Sequence, residues 1–245
     1  MTRDDIIFGR KPVMEMLEKG IKPDKILLQT GVEASFGSRV RALAKTLDVQ
    51  VQTVPWQKLK SVTRAQHQGI IAFKAWVTYQ SAHNVVHHLF EQGLDPLLII
   101  LDHITDVRNL GAIARSAEVL GAHGLILPAT GSASVNGEAV KASAGALLNL
   151  AVCRERSLAR TLEDLHALGL RSFAADLQSE QLLGSTDMRG PAVIVLGAED
   201  RGISQQLADL VHERFRIPQT GQTDSLNVSV AGGIILYHAL TCRTA

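Results

Sequence analysis

The run PLLIILD at residues 96–102 constrains the fold more than any other stretch of the chain. A strand with one face in water alternates apolar and polar residues, whereas five consecutive Leu and Ile residues belong to a strand covered on both faces. Behind it comes NLGAIARSAEVLG (109–121), where Ile113, Ala117 and Leu120 share a helical face and Gly121 offers a stop. Further strand patterns lie at HGLILP (123–128), RSFAAD (171–176) and PAVIVLG (191–197), with helical patterns at NGEAVKASAGAL (136–147) and SLARTLEDLHALG (157–169). This alternation predicts an α/β domain over 97–245: a parallel sheet with helices on both faces.

Residues 1–77 read as a second, smaller α/β unit. A helix is expected over Pro12–Lys19 and strands at KILLQ (25–29), VQVQTV (49–54) and QGIIAFKAW (68–76). Between them Val40, Leu43, Ala44 and Leu47 mark one face of a helix. The segment VTYQSAHN has no strong pattern and opens a linker over 78–96. Charge follows the same division. Residues 1–80 hold 13 Lys and Arg against 7 Asp and Glu, whereas residues 81–245 hold 12 against 17. A basic first piece on an acidic remainder points to a polyanion partner, with Arg10, Lys11, Lys22 and Lys25 as candidate contacts.

Several classes of protein are excluded or disfavoured. No run approaches the roughly 20 apolar residues of a membrane span. The opening MTRDDIIFGRKP lacks the apolar core of a secretory signal, and Cys153 and Cys242 are the only cysteines, so a reducing cytoplasm is the expected location. GxGxxG, GxxxxGK[ST] and GxSxG are all missing, which disfavours nicotinamide oxidoreductases, P-loop NTPases and α/β-hydrolases. His83, His87 and His88 include an i,i+4 pair but have no Cys or carboxylate companions in the pattern. They are expected on the solvated side of a short helix, and no metal is expected.

Three polar insertions remain, each following an apolar strand, where open α/β sheets bind ligands. The first carries Asn109, a candidate helix cap, and Arg115; the second, LGAEDRGIS, carries Gly197 and Glu199. The third is TGQTDSLNVSVAGGIILYH (220–238), in which six of nineteen residues are Gly, Ser or Asn directly before an apolar helix. Singly, Asn109 and Asn227 read as caps and Glu199 as a solvated turn residue. Their combination calls for more.

The stretches NLGAIAR (109–115), GAEDRG (197–202) and IPQTGQTDSLNVSVA (217–231) resemble the three ordered motifs of the SpoU, or TrmH-like, RNA 2′-O-methyltransferases. IFGRKPVMEML and HQGIIA in the first unit resemble the substrate-binding domain of the 23S rRNA guanosine-2′-O-methyltransferase (RlmB-like) subgroup. The resemblance implies a SPOUT-type parallel sheet with a C-terminal trefoil knot, preceded by a small L30e-like α/β domain. It also implies S-adenosylmethionine as cofactor, 23S rRNA as partner, and a homodimer whose sites draw on both chains. Gly197, Ile217, Gly221 and Leu226 become its cofactor-binding positions, and Gly232 and Gly233 serve close helix packing.

By the same resemblance the catalytic residues are Asn109, Arg115, Glu199, Ser225 and Asn227, with Arg115 assigned to activating the 2′-hydroxyl. A guanidinium keeps its proton at neutral pH and is a poor base. Arg115 is therefore expected to clamp phosphate or stabilise a developing alkoxide, leaving Glu199 to take the proton or to orient Arg115. A tRNA-directed enzyme of the same family and a non-catalytic RNA- or cofactor-binding protein stand as alternatives.

Overall fold

A computed structural model describes residues 5–198, 201–221 and 225–244. The chain divides into two compact units, Met1–Trp76 and Val77–Ala245.

The first unit has a four-stranded sheet in the order β1-β4-β2-β3, built from β1 (Ile6–Phe8), β2 (Pro23–Gln29), β3 (Gln50–Val54) and β4 (Ile70–Lys74). β4 runs antiparallel to β1 and β2, while β2 and β3 are parallel. Period-two alternation sorts the side chains of β2. Ile26 and Leu28 pack with Val13 and Leu17 of α1 (Arg10–Glu18) and with Val40 and Ala44 of α2 (Ala34–Thr46). Leu27 turns the other way, toward Leu59 of α3 (Trp56–Val62). The C-terminal ends of β1, β2 and β3 consequently open at one end of the sheet.

The second unit is a seven-stranded sheet in which every described pairing is parallel. Its strands are β5 (Tyr79–Gln80), β6 (Leu97–Leu101), β7 (Gly124–Pro128), β8 (Ala151–Glu155), β9 (Arg171–Ala175), β10 (Ala192–Leu196) and β11 (Glu213–Phe215). Their order is β11-β9-β10-β6-β7-β8-β5. The chain moves outward from β6 to β7 and β8, then crosses to the other side, so β6 and β10 are neighbours across the point where direction reverses. All five residues of β6 and all five of β10 are buried. One face is covered by α5 (Val107–Val119), α6 (Gly137–Ala142) and α9 (Val228–Thr244), the other by α4 (Ala82–Glu91), α7 (Leu158–Ala167) and α8 (Gln205–Leu210). A side chain at Gly111 would collide with Ala142, so the closeness of α5 to α6 depends on that glycine. Among the described residues no helix is long and apolar enough to cross a membrane.

Two expectations change. Residues 78–96, read as a linker, carry β5 at the sheet edge and α4, whose Val85, Val86 and Leu89 are buried against Leu158 and Leu162. His83, His87 and His88 lie on the exposed side of that helix. Asn109 does not cap α5, because the helix starts earlier and Asp106 accepts the Arg108 backbone N–H at 2.6 Å.

Two half-buried histidines tie sheet to helix in neutral form. His123 accepts the Leu97 N–H on Nδ1 at 3.0 Å, and burial followed by the Arg243 charge lowers its pKa. His166 meets Ser172 Oγ at 2.8 Å, and burial, then His212, lowers its pKa. A depressed histidine pKa means that the unfolded chain binds more protons than the folded one as pH falls below about 6.5. Stability is therefore complete above that value and is lost on acidification. Thermal melts from pH 7.5 to 5 should show a steady fall in midpoint, flattened in a His123→Asn, His166→Gln double variant; an identical fall in that variant would place the acid sensitivity elsewhere.

Candidate active site

A crevice opens outside the C-terminal ends of β9, β10 and β11, the side on which open α/β sheets usually bind ligands. Here it is a cleft of about 450 Å³. Its floor is apolar, from Leu196, Ile203, Leu226, Val228 and Ala231, and its rim carries Arg201, Arg214 and Arg216.

One wall is the turn that follows β10. Ala198 and Gly202 exchange both backbone hydrogen bonds, Ala198 N to Gly202 O at 3.1 Å and Gly202 N to Ala198 O at 2.8 Å. Gly202 adopts φ +66°, a left-handed conformation that favours glycine. The returning backbone passes directly over Gly197, where any Cβ would collide with Gly202 and Ile203. The same turn is anchored from the neighbouring strand. Asp102, just past β6 and 3% exposed, accepts the Ser204 N–H on Oδ2 at 2.6 Å, and its own N–H donates to Leu196 O at 2.9 Å. Its Oδ1 lies 2.6 Å from His103 Nδ1.

The opposite wall comes from the segment leading into α9. Ile217, Gln219, Ser225 and Leu226 line it. Asn227 then caps the helix, its Oδ1 accepting the Ser229 N–H at 2.9 Å while its Nδ2 donates to Asn109 Oδ1 at 3.1 Å. That last bond ties the first turn of α5 to the first of α9. Behind it, Gly232 sits against Leu196 and Gly233 against Ser116.

The structure thus brings Gly197, Ile217, Ser225 and Leu226 onto one cleft and joins Asn109 to Asn227. Gly221 is exposed and outside the cleft lining, and Arg115 projects from α5 into solvent, also outside it. Glu199 lies outside the described residues. Asp102, Arg214 and Arg216 were not read from the sequence. Arg214 Nη1 pairs with Asp176 Oδ2 at 3.2 Å, and Asp176 in turn fixes the turn after β9 by accepting the Gln178 N–H. Neither cysteine lines the cleft, and burial pushes the Cys153 thiol up to about 12. Among the described residues no three His, Cys, Asp or Glu side chains gather as a metal site. An apolar floor edged by backbone groups and arginines suits a flat organic ligand with polar edges beside an anion.

Family comparisons agree with this architecture. Residues 96–237 match the model of the SpoU rRNA Methylase family, and residues 6–79 match that for RNA 2′-O ribose methyltransferase substrate binding. YacO of Bacillus subtilis (strain 168), named for the TrmH family of tRNA/rRNA methyltransferases, is 30% identical over 98% of this chain and 96% of its own length. Among solved structures, an AdoMet-bound rRNA methyltransferase from Sinorhizobium meliloti shares 25% identity at a TM-score of 0.60, over 96% of this chain and 86% of that one. A TrmH/SpoU tRNA modifying enzyme from A. aeolicus shares 25% at 0.57, over 66% of this chain and 85% of that one. This chain belongs to the SpoU rRNA methylase family.

Two substitutions test the architecture of the cleft. Asp102→Ala removes the charged acceptor of the half-buried Ser204 N–H and should cost about 1.5–3 kcal/mol. Gly197→Ala forces the turn open and should cost about 1–3 kcal/mol, read by urea unfolding. Wild-type stability in both would mean that the turn is held by something else.

Proposed function

We propose that this chain transfers a methyl group from S-adenosylmethionine to a ribose 2′-hydroxyl of ribosomal RNA, with a guanosine of 23S rRNA as the acceptor. The observation that carries this reading is the cleft at the C-terminal ends of β9, β10 and β11, whose wall depends on a backbone crossing that a glycine at position 197 permits. Gly197, Ile217 and Leu226 hold the cofactor there, with Gly221 in the same segment, and the fit rests on the apolar floor and the exposed backbone groups of the two turns. Bound in that position, S-adenosylmethionine supplies an activated methyl group whose leaving group departs without metal assistance.

In this reading the C-terminal segment of the second unit threads a loop to make the trefoil knot of a SPOUT domain, and the first unit is an L30e-like RNA-binding domain. The Asn109–Asn227 pair fixes the mouth of the cleft, with Ser225 on its edge. Arg115 has no paired carboxylate among the described residues, which leaves its guanidinium available for a phosphate or a developing alkoxide. Glu199 takes the 2′-hydroxyl proton or orients Arg115. Holding donor and acceptor in near-attack geometry can supply roughly 7–11 kcal/mol, so positioning is the main task of these side chains.

Two further observations refine the assignment. The S. meliloti rRNA enzyme matches nearly the whole of this chain, whereas the A. aeolicus tRNA enzyme leaves a third of it unmatched, which favours ribosomal RNA. Helix α9 is apolar on both sides: Ile235, Leu236 and Ala239 are buried, while Val230, Ile234 and Tyr237 form an exposed row at i, i+4 and i+7. A helix apolar all round belongs in an interior, and a second copy of this chain supplies the missing cover. Arg115 then reaches RNA at the partner's cleft.

The test is transfer of labelled methyl from S-adenosylmethionine to unmodified 23S rRNA, with mapping of the 2′-O-methylated residue. Arg115→Ala should lower turnover by about 10²–10³ with cofactor affinity unchanged; loss of cofactor binding would remove Arg115 from catalysis. Ile234→Glu should convert a dimer into a monomer in sedimentation and abolish transfer. An active monomer would refute the shared site.

A further inference from the structure

A second cleft, of about 750 Å³, lies wholly within the first unit and has no part in the chemistry above. Its size falls within the roughly 300–1,000 Å³ of small-ligand sites. It opens at the end of the sheet where β1, β2 and β3 finish, and three turns and α3 enclose it. Around it stand Arg10, Gly31, Glu33, Trp56, Lys60 and Arg64.

The walls are cross-tied. Arg10 takes the Gln68 side-chain oxygen on its backbone N–H at 2.9 Å and the Glu33 carboxylate on Nη1 at 3.2 Å, linking all three turns. Gln29 N donates to Gly69 O at 2.8 Å. His67, buried, accepts the Gly69 N–H on Nδ1 at 3.1 Å, and burial followed by the Lys60 charge keeps it neutral. Such a frame is set before any ligand arrives, which spares the ordering cost of binding.

Its charges do not cancel. Among the described residues Glu33 is the one carboxylate on the cleft, and it is engaged by Ser35 and Arg10. Lys60 and Arg64 have no carboxylate partner among the described residues. Beside them Trp56 keeps 44% of its surface exposed, with the His67 ring tilted toward it at 6.5 Å and the Lys60 ammonium 4.4 Å from its ring. An anion drawn to Lys60 therefore arrives next to an aromatic face.

We propose that this cleft captures an unpaired nucleotide of the RNA substrate, with its base against Trp56 and its phosphate between Lys60 and Arg64. The chemistry required is a flat π-system joined to an anion, which single-stranded RNA presents and a duplex hides in its stack. An acidic peptide would satisfy the cations but leave the indole idle. The site makes the first unit a reader of strand opening as well as a grip on phosphate, and it deepens the RNA-methyltransferase reading on which it rests.

The experiment measures binding of the full chain to a labelled ten-nucleotide single-stranded RNA and to the same sequence as a duplex, by fluorescence anisotropy. Trp56→Ala should weaken single-strand binding about 5- to 100-fold and leave duplex binding unchanged, while Trp56→Phe, which keeps a stacking face, restores most of the loss. Lys60→Ala with Arg64→Ala should weaken both RNAs and lower the salt dependence. Cofactor affinity, measured in parallel, should stay constant in every variant. Unchanged single-strand binding in Trp56→Ala, a Phe variant as weak as the Ala one, or equal competition by polyglutamate would each overturn the proposal. These readouts need no methyl transfer, so failure of the enzymatic reading would show separately, as absent turnover with intact RNA capture.

Discussion

The buried carboxylate of Asp102 holds the turn after β10 against the strand beside it. Among the described residues the Ala198–Gly202 pairing also holds the backbone that returns over Gly197. A carboxylate accepting a backbone N–H is a strong interaction, and at 3% exposure it meets little competition from water. The cleft wall, the position of Ile203 and the start of α8 all follow from it. Gly197 is the complementary condition, since the turn can close only where no side chain intervenes.

The two units solve different problems with the same materials. In the second, a sheet buried on both faces gives rigid strand ends, and short turns from β6 and β10 meet across the reversal point. In the first, turns stitched together by Arg10 border a cleft whose exposed indole and Lys60 stand on α3. One site is floored with aliphatic side chains and suits an organic cofactor; the other is lined with charge and amide groups. In both, the cleft is bordered by turns and helix ends while the flanking strands carry the stability.

Much of this was legible. Strands β6 and β10 stand out because burial on both faces leaves no room for polar residues, and the helices between them keep one apolar stripe. Strand β8 was not, because Val152 and Cys153 are followed by half-buried Arg154 and Glu155, which blur any pattern. Helix α3 buries only Leu59. At the site, Asn227 could be placed from its position before an apolar helix, but its bond to Asn109 joins residues far apart in the chain. Asp102 was missed for the same reason, as its partner Ser204 is remote in sequence. Trp56 and Lys60 are one helical turn apart, yet the cleft they border exists only once Arg10 and Gln68 have met. Local pattern reveals an element; contacts across the chain decide which turns share a ligand.

Helix α9 is the last described element, yet its Val228 and Ala231 belong to the floor of the cleft and it covers a face of the central sheet. Chains emerge from the ribosome N-terminal end first, and units fold as they become complete. The first unit therefore has all of its strands well before the second has its final helix. A nascent chain at that stage would possess the cleft of the first unit and lack the finished cleft of the second, with a sheet face still exposed to solvent. The order of the two units along the chain thus sets the order in which recognition and chemistry come into being.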